Sequence, residues 1–99
     1  MSTVVCGMVT QKNYSTYEKK SGGEGTKLEL VLSCPKTDWR TKETTYYDLA
    51  CTAWGKKADE LEGRVEEGGW VVVTASVESK ANGQYWNTDV RIDDVQPVG

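Results

Sequence analysis

The chain has 99 residues, of which 37% are hydrophobic, and its formal net charge is −3 at pH 7. This length suits one domain, residues 1–99, which buries about two thirds of its unfolded surface. No run approaches the ~20 apolar residues of a membrane-spanning helix, and the N-terminal "MSTVVCGMVT" lacks the basic and long apolar segments of a secretion signal. We therefore expect a soluble, intracellular protein with no membrane partner.

The residue types that most often carry catalysis and metal binding are scarce. The sequence has no histidine, which excludes Ser-His-Asp and Cys-His nucleophile pairs and the commonest general base. Its three cysteines, Cys6, Cys34 and Cys51, show no C-x-x-C spacing and indicate neither a disulfide framework nor a zinc site. Cys34 and Cys51 share the parity of neighbouring apolar residues, which predicts reduced, buried thiols. An enzyme is the least favoured class, and we expect no catalytic residue and no metal.

Alternation of apolar and polar residues predicts strands through the first half of the chain. The first strand is "STVVCGMVTQ", continued by "KNYSTYE" up to a glycine-rich turn at residues 22–25. The second is "TKLELVLSC", in which Leu28, Leu30 and Leu32 form one face. The segment at residues 35–44 opens with a proline and is rich in polar residues, so it predicts a protruding loop or a short hairpin.

The third strand opens the stretch "YYDLACTAWGKKADEL" at residues 46–61, and its two faces differ in kind. One face is an apolar row typical of a core, and it consists of Tyr47, Leu49, Cys51 and Ala53. The opposite row runs from Tyr46 to Trp54 and has aromatic residues at its ends. An ordinary solvent face carries charges and threonines there, so this row needs a further explanation.

A short helix and a hairpin complete the chain. In "GKKADELEGRVEEGG", Ala58, Leu61 and Val65 lie at helical intervals, and Gly68 and Gly69 end a helix of two to three turns.

The dipeptide Asn82-Gly83 lies between two alternating runs and predicts a type I′ hairpin turn. Folding about it places Lys80 opposite Tyr85. A slip by one residue would turn the apolar face to water, so the alternation fixes the faces of both strands.

The order strand, strand, strand, helix, strand, strand predicts an all-β fold, namely a five-stranded OB-fold barrel with one short helix between strands 3 and 4. In OB-folds the ligand lies over strands 2 and 3, between the loops that join strands 1 to 2 and 4 to 5. The outward ends of the third strand therefore lie on the surface where this fold binds its ligands.

With this order established, three segments resemble the bacterial and phage single-stranded DNA-binding protein family. They are "YYDLACTAWGKKADEL", "EGGWVVVTASVES" and "YWNTDVRIDDVQPV", and "STVVCGMV" is a weaker match to the family's first strand. The shared pattern is a third strand ending aromatic-Gly-Lys, an amphipathic helix, a glycine before the fourth strand, and a closing strand with aromatic-x-Thr-acidic-Val. The resemblance runs from about residue 46 to residue 97.

The resemblance implies an OB-fold subunit that uses no cofactor, assembles with itself and wraps single-stranded DNA across aromatic side chains. It favours a homotetramer, with a dimer as the alternative, acting in DNA replication, recombination or repair. The expected location is the cytoplasm of a bacterium or a phage-infected host, at its nucleoid. The family usually has a long tail with an acidic and apolar end, whereas this sequence ends at "QPVG". We expect either a shortened chain or a member without the recruiting role of that tail.

Aromatic side chains for base stacking and nearby cations for phosphate contacts are the candidate DNA-binding residues. Stacking contributes about 1–3 kcal/mol per base and tolerates any sequence. A few cations suffice beside it, so a net charge of −3 does not exclude DNA. The predicted set is Trp39, Trp54, Tyr46, Arg40, Lys36, Lys42, Lys56, Tyr85, Lys80 and Arg91.

Each aromatic residue has a structural alternative. Trp54 would instead cover the barrel end or a subunit interface, Trp39 would fold back as a lid, and Tyr85 would only stabilise the turn. The favoured function is sequence-independent binding of single-stranded DNA without catalysis. The alternative is an OB-fold protein-interaction subunit, such as a primosome-type or assembly factor, with weak or no DNA binding.

Overall fold

The computed structural model describes residues 2–83 and 85–98, except for the side chains of residues 80, 82 and 85–88. The elements are β1 (Ser2–Glu18), β2 (Glu24–Thr37), β3 (Thr44–Trp54), α1 (Lys56–Glu62), β4 (Trp70–Asn82) and β5 (Tyr85–Val98). The strands form a closed barrel in the order β1-β2-β3-β5-β4. This confirms the predicted five-stranded OB-fold barrel with a short helix between its third and fourth strands.

The barrel closes because β1 changes partners along its length. Residues 2–8 pair antiparallel with β4, and residues 8–18 pair antiparallel with β2, with a bulge between Val9 and Gln11. On the other side, β3 and β5 meet through one parallel pair, Thr52 with Arg91. The β3–β5 contact is therefore the shortest ladder of the barrel.

The inward rows of the strands and one side of α1 form an apolar core. The predicted leucine face of β2 is fully buried, and so are Cys34 and Cys51, as predicted. Burial raises the pKa of Cys51 to about 12, so its thiol stays protonated at neutral pH. The core residues are Val9, Leu28, Leu30, Leu32, Cys34, Cys51, Ala53, Ala58, Leu61, Val65, Val71, Val73, Ala75, Ile92 and Val95.

Helix α1 is shorter than predicted. It contributes Ala58 and Leu61 to the core and ends at Glu62, because Gly63 takes the C-terminal cap position. Val65, predicted to be helical, is buried in the segment that follows. Among the described residues, no helix is long and apolar enough to cross a membrane.

The C-terminal end of α1 is capped by a lysine from β1. The Nζ atom of Lys12 donates to the carbonyl oxygens of Glu62 and Val65 at 2.7 and 2.8 Å. It also lies 3.5 Å from the carboxylate of Glu62. The last carbonyls of a helix have no partner within the helix, and this ammonium group supplies the missing hydrogen-bond donor. Its positive charge also interacts favourably with the negative end of the helix dipole.

The register of the β4–β5 hairpin differs from the predicted one by two residues. Asn82 pairs with Tyr85, and Lys80 pairs with Asn87 instead of Tyr85. The turn therefore follows Asn82, and Gly83 has a φ of 65°, which glycine adopts without strain. Alternation cannot distinguish the two registers, because a shift of two residues leaves every side chain on its face.

Beyond the barrel, β2 and β3 continue as a hairpin that we call the arm, residues 35–46. The β1–β2 ladder ends at Met8–Ser33, whereas the β2–β3 ladder continues to Thr37–Thr44. The arm therefore projects with no cover from β1.

We expect Lys12→Met to lower the free energy of unfolding by roughly 1.5–3 kcal/mol. The variant removes the charged donor, so the carbonyl oxygens of Glu62 and Val65 lose their hydrogen bonds to it. Urea unfolding of the purified protein measures this loss. Lys20→Met, at an exposed turn position, is the matched control and should change stability by less than about 0.5 kcal/mol. Equal stability of the two variants would contradict the capping role of Lys12.

Candidate functional site

The outward side chains of β2 and β3 form one continuous surface, which we call the β2–β3 face. Directly paired residues of an antiparallel ladder point to the same side, so the rows of both strands combine. The face consists of Lys27, Glu29, Val31, Ser33 and Pro35 on β2 and of Tyr46, Asp48, Ala50, Thr52 and Trp54 on β3.

Trp54 lies at the barrel end of this face and is held on one side. Its ring and that of Tyr17 pack in a T-shaped arrangement, with the ring centroids 5.1 Å apart and the planes at 87°. The ammonium group of Lys27 lies 5.0 Å from the indole centroid, in a cation–π arrangement. Trp54 is nevertheless 46% exposed. The indole is therefore positioned by its neighbours and still offers surface to a ligand.

Sequence reasoning missed Tyr17 and Lys27 as neighbours of Trp54. The side chain of Tyr17 lies over Gly25, its partner on β2. A Cβ atom added to Gly25 would lie only 2.6 Å from the Cζ atom of the tyrosine ring. A glycine opposite a tyrosine is the signal for this contact, but it becomes readable only once the β1–β2 register is known.

A cluster of hydrogen bonds fixes the chain just after Trp54. The backbone N–H of Gly55 donates to the carbonyl oxygen of Thr26 at 2.8 Å. The hydroxyl groups of Thr26 and Tyr14 donate to Oδ1 of Asp59 at 2.6 and 2.5 Å. These two bonds lower the pKa of Asp59, and the same carboxylate raises the pKa of Tyr14. The start of α1 is thereby tied to β1 and β2.

The tip of the arm presents Trp39, which is 79% exposed. The guanidinium carbon of Arg40 lies 5.3 Å from its ring centroid, and the backbone N–H of Arg40 donates to Oδ1 of Asp38 at 2.8 Å. Lys42 completes the tip with a φ of 59°. The structure does not show the lid alternative, since Trp39 is turned to solvent.

Exposed tyrosines lie on both sides of the β2–β3 hairpin where the arm begins. Tyr46, on the β2–β3 face, is 64% exposed. Tyr47 was predicted to join the core, yet it is 44% exposed, because β1 has left β2 before this point. Lys36 alternates away from Tyr46 and lines a shallow depression with Tyr47 and Pro35. Lys36 is therefore on the other side of the arm from the β2–β3 face.

The remaining predicted residues lie near the barrel. Lys56 is exposed at the first position of α1, directly after Gly55. Arg91 on β5 forms an ion pair with Glu78 on β4, with Nη2 and Oε1 3.3 Å apart. The side chains of Lys80 and Tyr85 lie outside the part of the chain that the structure describes.

A groove of about 390 Å³ opens beside Trp54 where β3 and β5 meet, and we call it the seam groove. Its lining includes Ala50 and Thr52 from β3 and the ion pair of Arg91 with Glu78. Within the described residues, no group of three or more His, Cys, Asp or Glu side chains is arranged to hold a metal ion.

A different surface is formed by the outward rows of β1 and β4, which we call the β1–β4 face. Val4 is 68% and Trp70 41% exposed there, and Val98 of β5 borders Trp70. The paired rows carry no charge and consist of Ser2, Val4, Cys6 and Met8 on β1 and of Trp70, Val72, Thr74 and Ser76 on β4.

No protein-family model matches the chain, and no curated protein matches its sequence. Solved structures match its fold. The single-stranded DNA binding protein from Thermus aquaticus has a TM-score of 0.73 at 15% identity, covering 99% of this chain and 50% of that one. The SSB domain of a Synechococcus protein has a TM-score of 0.66 at 18% identity, covering 95% and 91%. The protein priB from Ralstonia solanacearum has a TM-score of 0.69 at 11% identity, covering 98% and 97%.

This chain has the OB-fold of the single-stranded DNA-binding proteins. The resemblance stated from the sequence is thus confirmed at the level of the fold. The chain spans half the length of the Thermus aquaticus protein. At these identities, function has to be argued from the residues of the β2–β3 face and the arm.

The hydrogen bonds to Asp59 give a pH-dependent contribution to stability. Because its folded pKa is lowered, the contribution is present above the pKa of an unfolded aspartate, about 3.9, and is lost as the pH falls through the folded value. We expect the difference in free energy of unfolding between wild type and Asp59→Asn to be present at pH 7 and to shrink below about pH 4. Urea unfolding at several pH values measures it, with Asp48→Asn as the exposed control. A difference that stays constant over this range would contradict the assignment.

Proposed function

We propose that the chain is a non-enzymatic protein that binds single-stranded DNA with little regard to sequence. The observation that carries this proposal is the exposure of Trp39, Tyr46 and Trp54, at 79%, 64% and 46%, on the arm and the β2–β3 face. Large exposed aromatic surfaces mark binding sites, and flat rings stack on the faces of unpaired bases. Each such stack contributes about 1–3 kcal/mol, so three platforms supply about 3–9 kcal/mol before the cost of ordering the strand.

The spacing of the aromatic residues suits an extended strand. Tyr46 and Trp54 are eight residues apart on β3, which corresponds to about 27 Å. At about 3.4 Å per stacked nucleotide, that distance holds about eight nucleotides, and fewer when the strand is extended. OB-folds occupy about 4–16 nucleotides, so the row is long enough for one binding path.

Cations along this path supply the phosphate contacts. Arg40 and Lys42 follow Trp39 at the tip, and Lys56 follows Trp54. The carboxylate of Asp48 lies on the β2–β3 face between the aromatic platforms and opposes phosphates locally. We therefore infer that stacking dominates, with a modest dependence of affinity on salt.

The structural neighbours support the same class of function. Two of them are described as single-stranded DNA-binding proteins or domains, and their folds cover nearly all of this chain. We infer a role in DNA replication, recombination or repair, in the cytoplasm of a bacterium or a phage-infected host.

The β1–β4 face supports self-association. The uncharged paired rows of β1 and β4 expose the apolar surfaces of Val4 and Trp70, and covering these with a second copy is favourable. A two-fold interface brings the same patch of both subunits together, so an uncharged patch meets its copy without like-charge repulsion. We propose a homo-oligomer, a tetramer in the first place, with a dimer as the alternative.

A second candidate is an OB-fold protein-interaction subunit with weak or no DNA binding. The net charge of −3 and the carboxylate of Asp48 on the β2–β3 face favour it, because negative charge opposes a phosphate backbone. In this candidate the exposed aromatic residues contact a protein partner and leave DNA unbound.

Trp39 offers the cleanest test, because it is exposed at the arm tip and its removal leaves the core intact. We expect Trp39→Ala to weaken binding of a mixed-sequence 16-nucleotide strand about 5- to 150-fold, through loss of one stack. Trp39→Phe keeps a stacking ring and should remain within a few-fold of wild type. Fluorescence anisotropy of the labelled strand, with a duplex of the same sequence as a comparison, measures the affinities. Unchanged affinity in Trp39→Ala, or no binding by wild type at low salt, favours the interaction subunit.

Self-association is tested with Val4→Lys, which places a charge on the β1–β4 face. We expect sedimentation equilibrium to show a multimer for wild type and a smaller mass for the variant, because a buried unpaired charge is strongly unfavourable. Gln11→Lys, at an exposed position further along β1, should leave the assembly intact. A monomeric wild type would contradict the proposal.

A further inference from the structure

We propose that the seam groove accepts a nucleobase that carries an exocyclic amino group, so that cytosine is bound there in preference to thymine. This inference rests on the proposed binding of single-stranded DNA and adds a modest base preference to it. In this proposal the side chains of Glu78, Asp89 and Arg91 form hydrogen bonds with the edge of a base. The sequence pattern instead predicts that Arg91 contacts a phosphate group.

The groove exists because β3 and β5 separate on either side of their one parallel pair, Thr52 with Arg91. Ala50 on β3 and Val90 on β5 contribute small apolar surfaces, and the indole of Trp54 forms part of the lining. Its volume of about 390 Å³ lies within the range of small-molecule sites, about 300–1,000 Å³. A cleft that offers an indole and small apolar side chains beside its polar groups suits a flat base better than a hydrated phosphate.

The charges of the groove also disfavour a phosphate. Glu78 and Asp89 are direct cross-strand partners, an arrangement in which like charges repel. Arg91 bonds Glu78 at 3.3 Å, and among the described side chains Asp89 forms no ion pair. Two carboxylates and one guanidinium leave the groove with one net negative charge. A backbone phosphate is repelled there, so a strand that crosses the groove turns a base toward it.

The polar atoms match the edge of cytosine and mismatch that of thymine. Carboxylate oxygens accept hydrogen bonds from an exocyclic amino group, as when aspartate or glutamate reads the N4 amino group of cytosine. Thymine presents a carbonyl oxygen at the same place, and that oxygen repels a carboxylate. The N–H groups of Arg91 that do not contact Glu78 are free to donate to a carbonyl of the base. Adenine and guanine also carry an exocyclic amino group, so they are among the bases that the groove binds in this proposal.

The preference is measured with oligodeoxycytidine and oligodeoxythymidine of equal length, at neutral pH and fixed salt. These two strands differ in the chemical group that the proposal invokes and agree in ring size and charge. For wild type we expect cytidine strands to bind at least about 5-fold more tightly, which is the lower end of discrimination by a hydrogen-bonded base contact. Asp89→Asn keeps the shape of the side chain and adds an N–H donor that suits the thymine carbonyl, so it should bring the affinity ratio close to one.

Asp48→Asn is the matched control, since it removes the same charge from an exposed position on the β2–β3 face outside the groove. It should strengthen binding of both strands equally and leave their ratio unchanged. Equal or tighter binding of thymidine by wild type, or an unchanged ratio in Asp89→Asn, overturns this inference and leaves the proposed function standing. Failure of wild type to bind either strand overturns both.

Discussion

Pairing of β2 with β3 is the interaction on which both the fold and the site depend. The ladder runs without a register shift from Lys27–Trp54 to Thr37–Thr44, so it fixes the side of every residue over the whole hairpin. Inside the barrel it directs leucines and Cys51 into the core. Beyond the barrel the same ladder carries aromatic side chains out to the arm, where β1 no longer covers them. A shift by one residue would expose the leucines and bury the outward row.

The second constraint is the attachment of α1 to the strands beside that hairpin. Asp59 accepts hydrogen bonds from β1 and β2 at the start of the helix, and Lys12 donates to carbonyls at its end. Both ends are thus held by polar side chains, while Ala58 and Leu61 fill the core between them. Because Trp54 lies one residue before Gly55, the same contacts also limit where the indole can point.

Local patterns were sufficient to predict the strands, the leucine core and the outward row of β3, because a period of two is readable from neighbouring residues. They failed where the answer depends on other strands. The β4–β5 register was wrong by two residues, a shift that alternation cannot detect. Tyr47 was predicted to be buried, but its exposure depends on where β1 leaves β2. The contacts of Tyr17 and Lys27 with Trp54 cross strands and follow from pairing. The end of α1 at Glu62 is a local miss instead, since Gly63 takes the cap position there.

The exposed tryptophans of this barrel lie on two separate surfaces, one proposed to bind DNA and one proposed to bind a second copy of the chain. Trp39 and Trp54 lie on the arm and the β2–β3 face, whereas Trp70 lies on the uncharged β1–β4 face. The most direct test is a titration of the protein with a mixed-sequence single strand, followed through the indole N–H signals in nitrogen-15 NMR spectra. If bases stack on the arm and the β2–β3 face, the signals of Trp39 and Trp54 shift as the strand binds, while that of Trp70 keeps its position. Unmoved signals from Trp39 and Trp54, or a strand-dependent shift confined to Trp70, would contradict it.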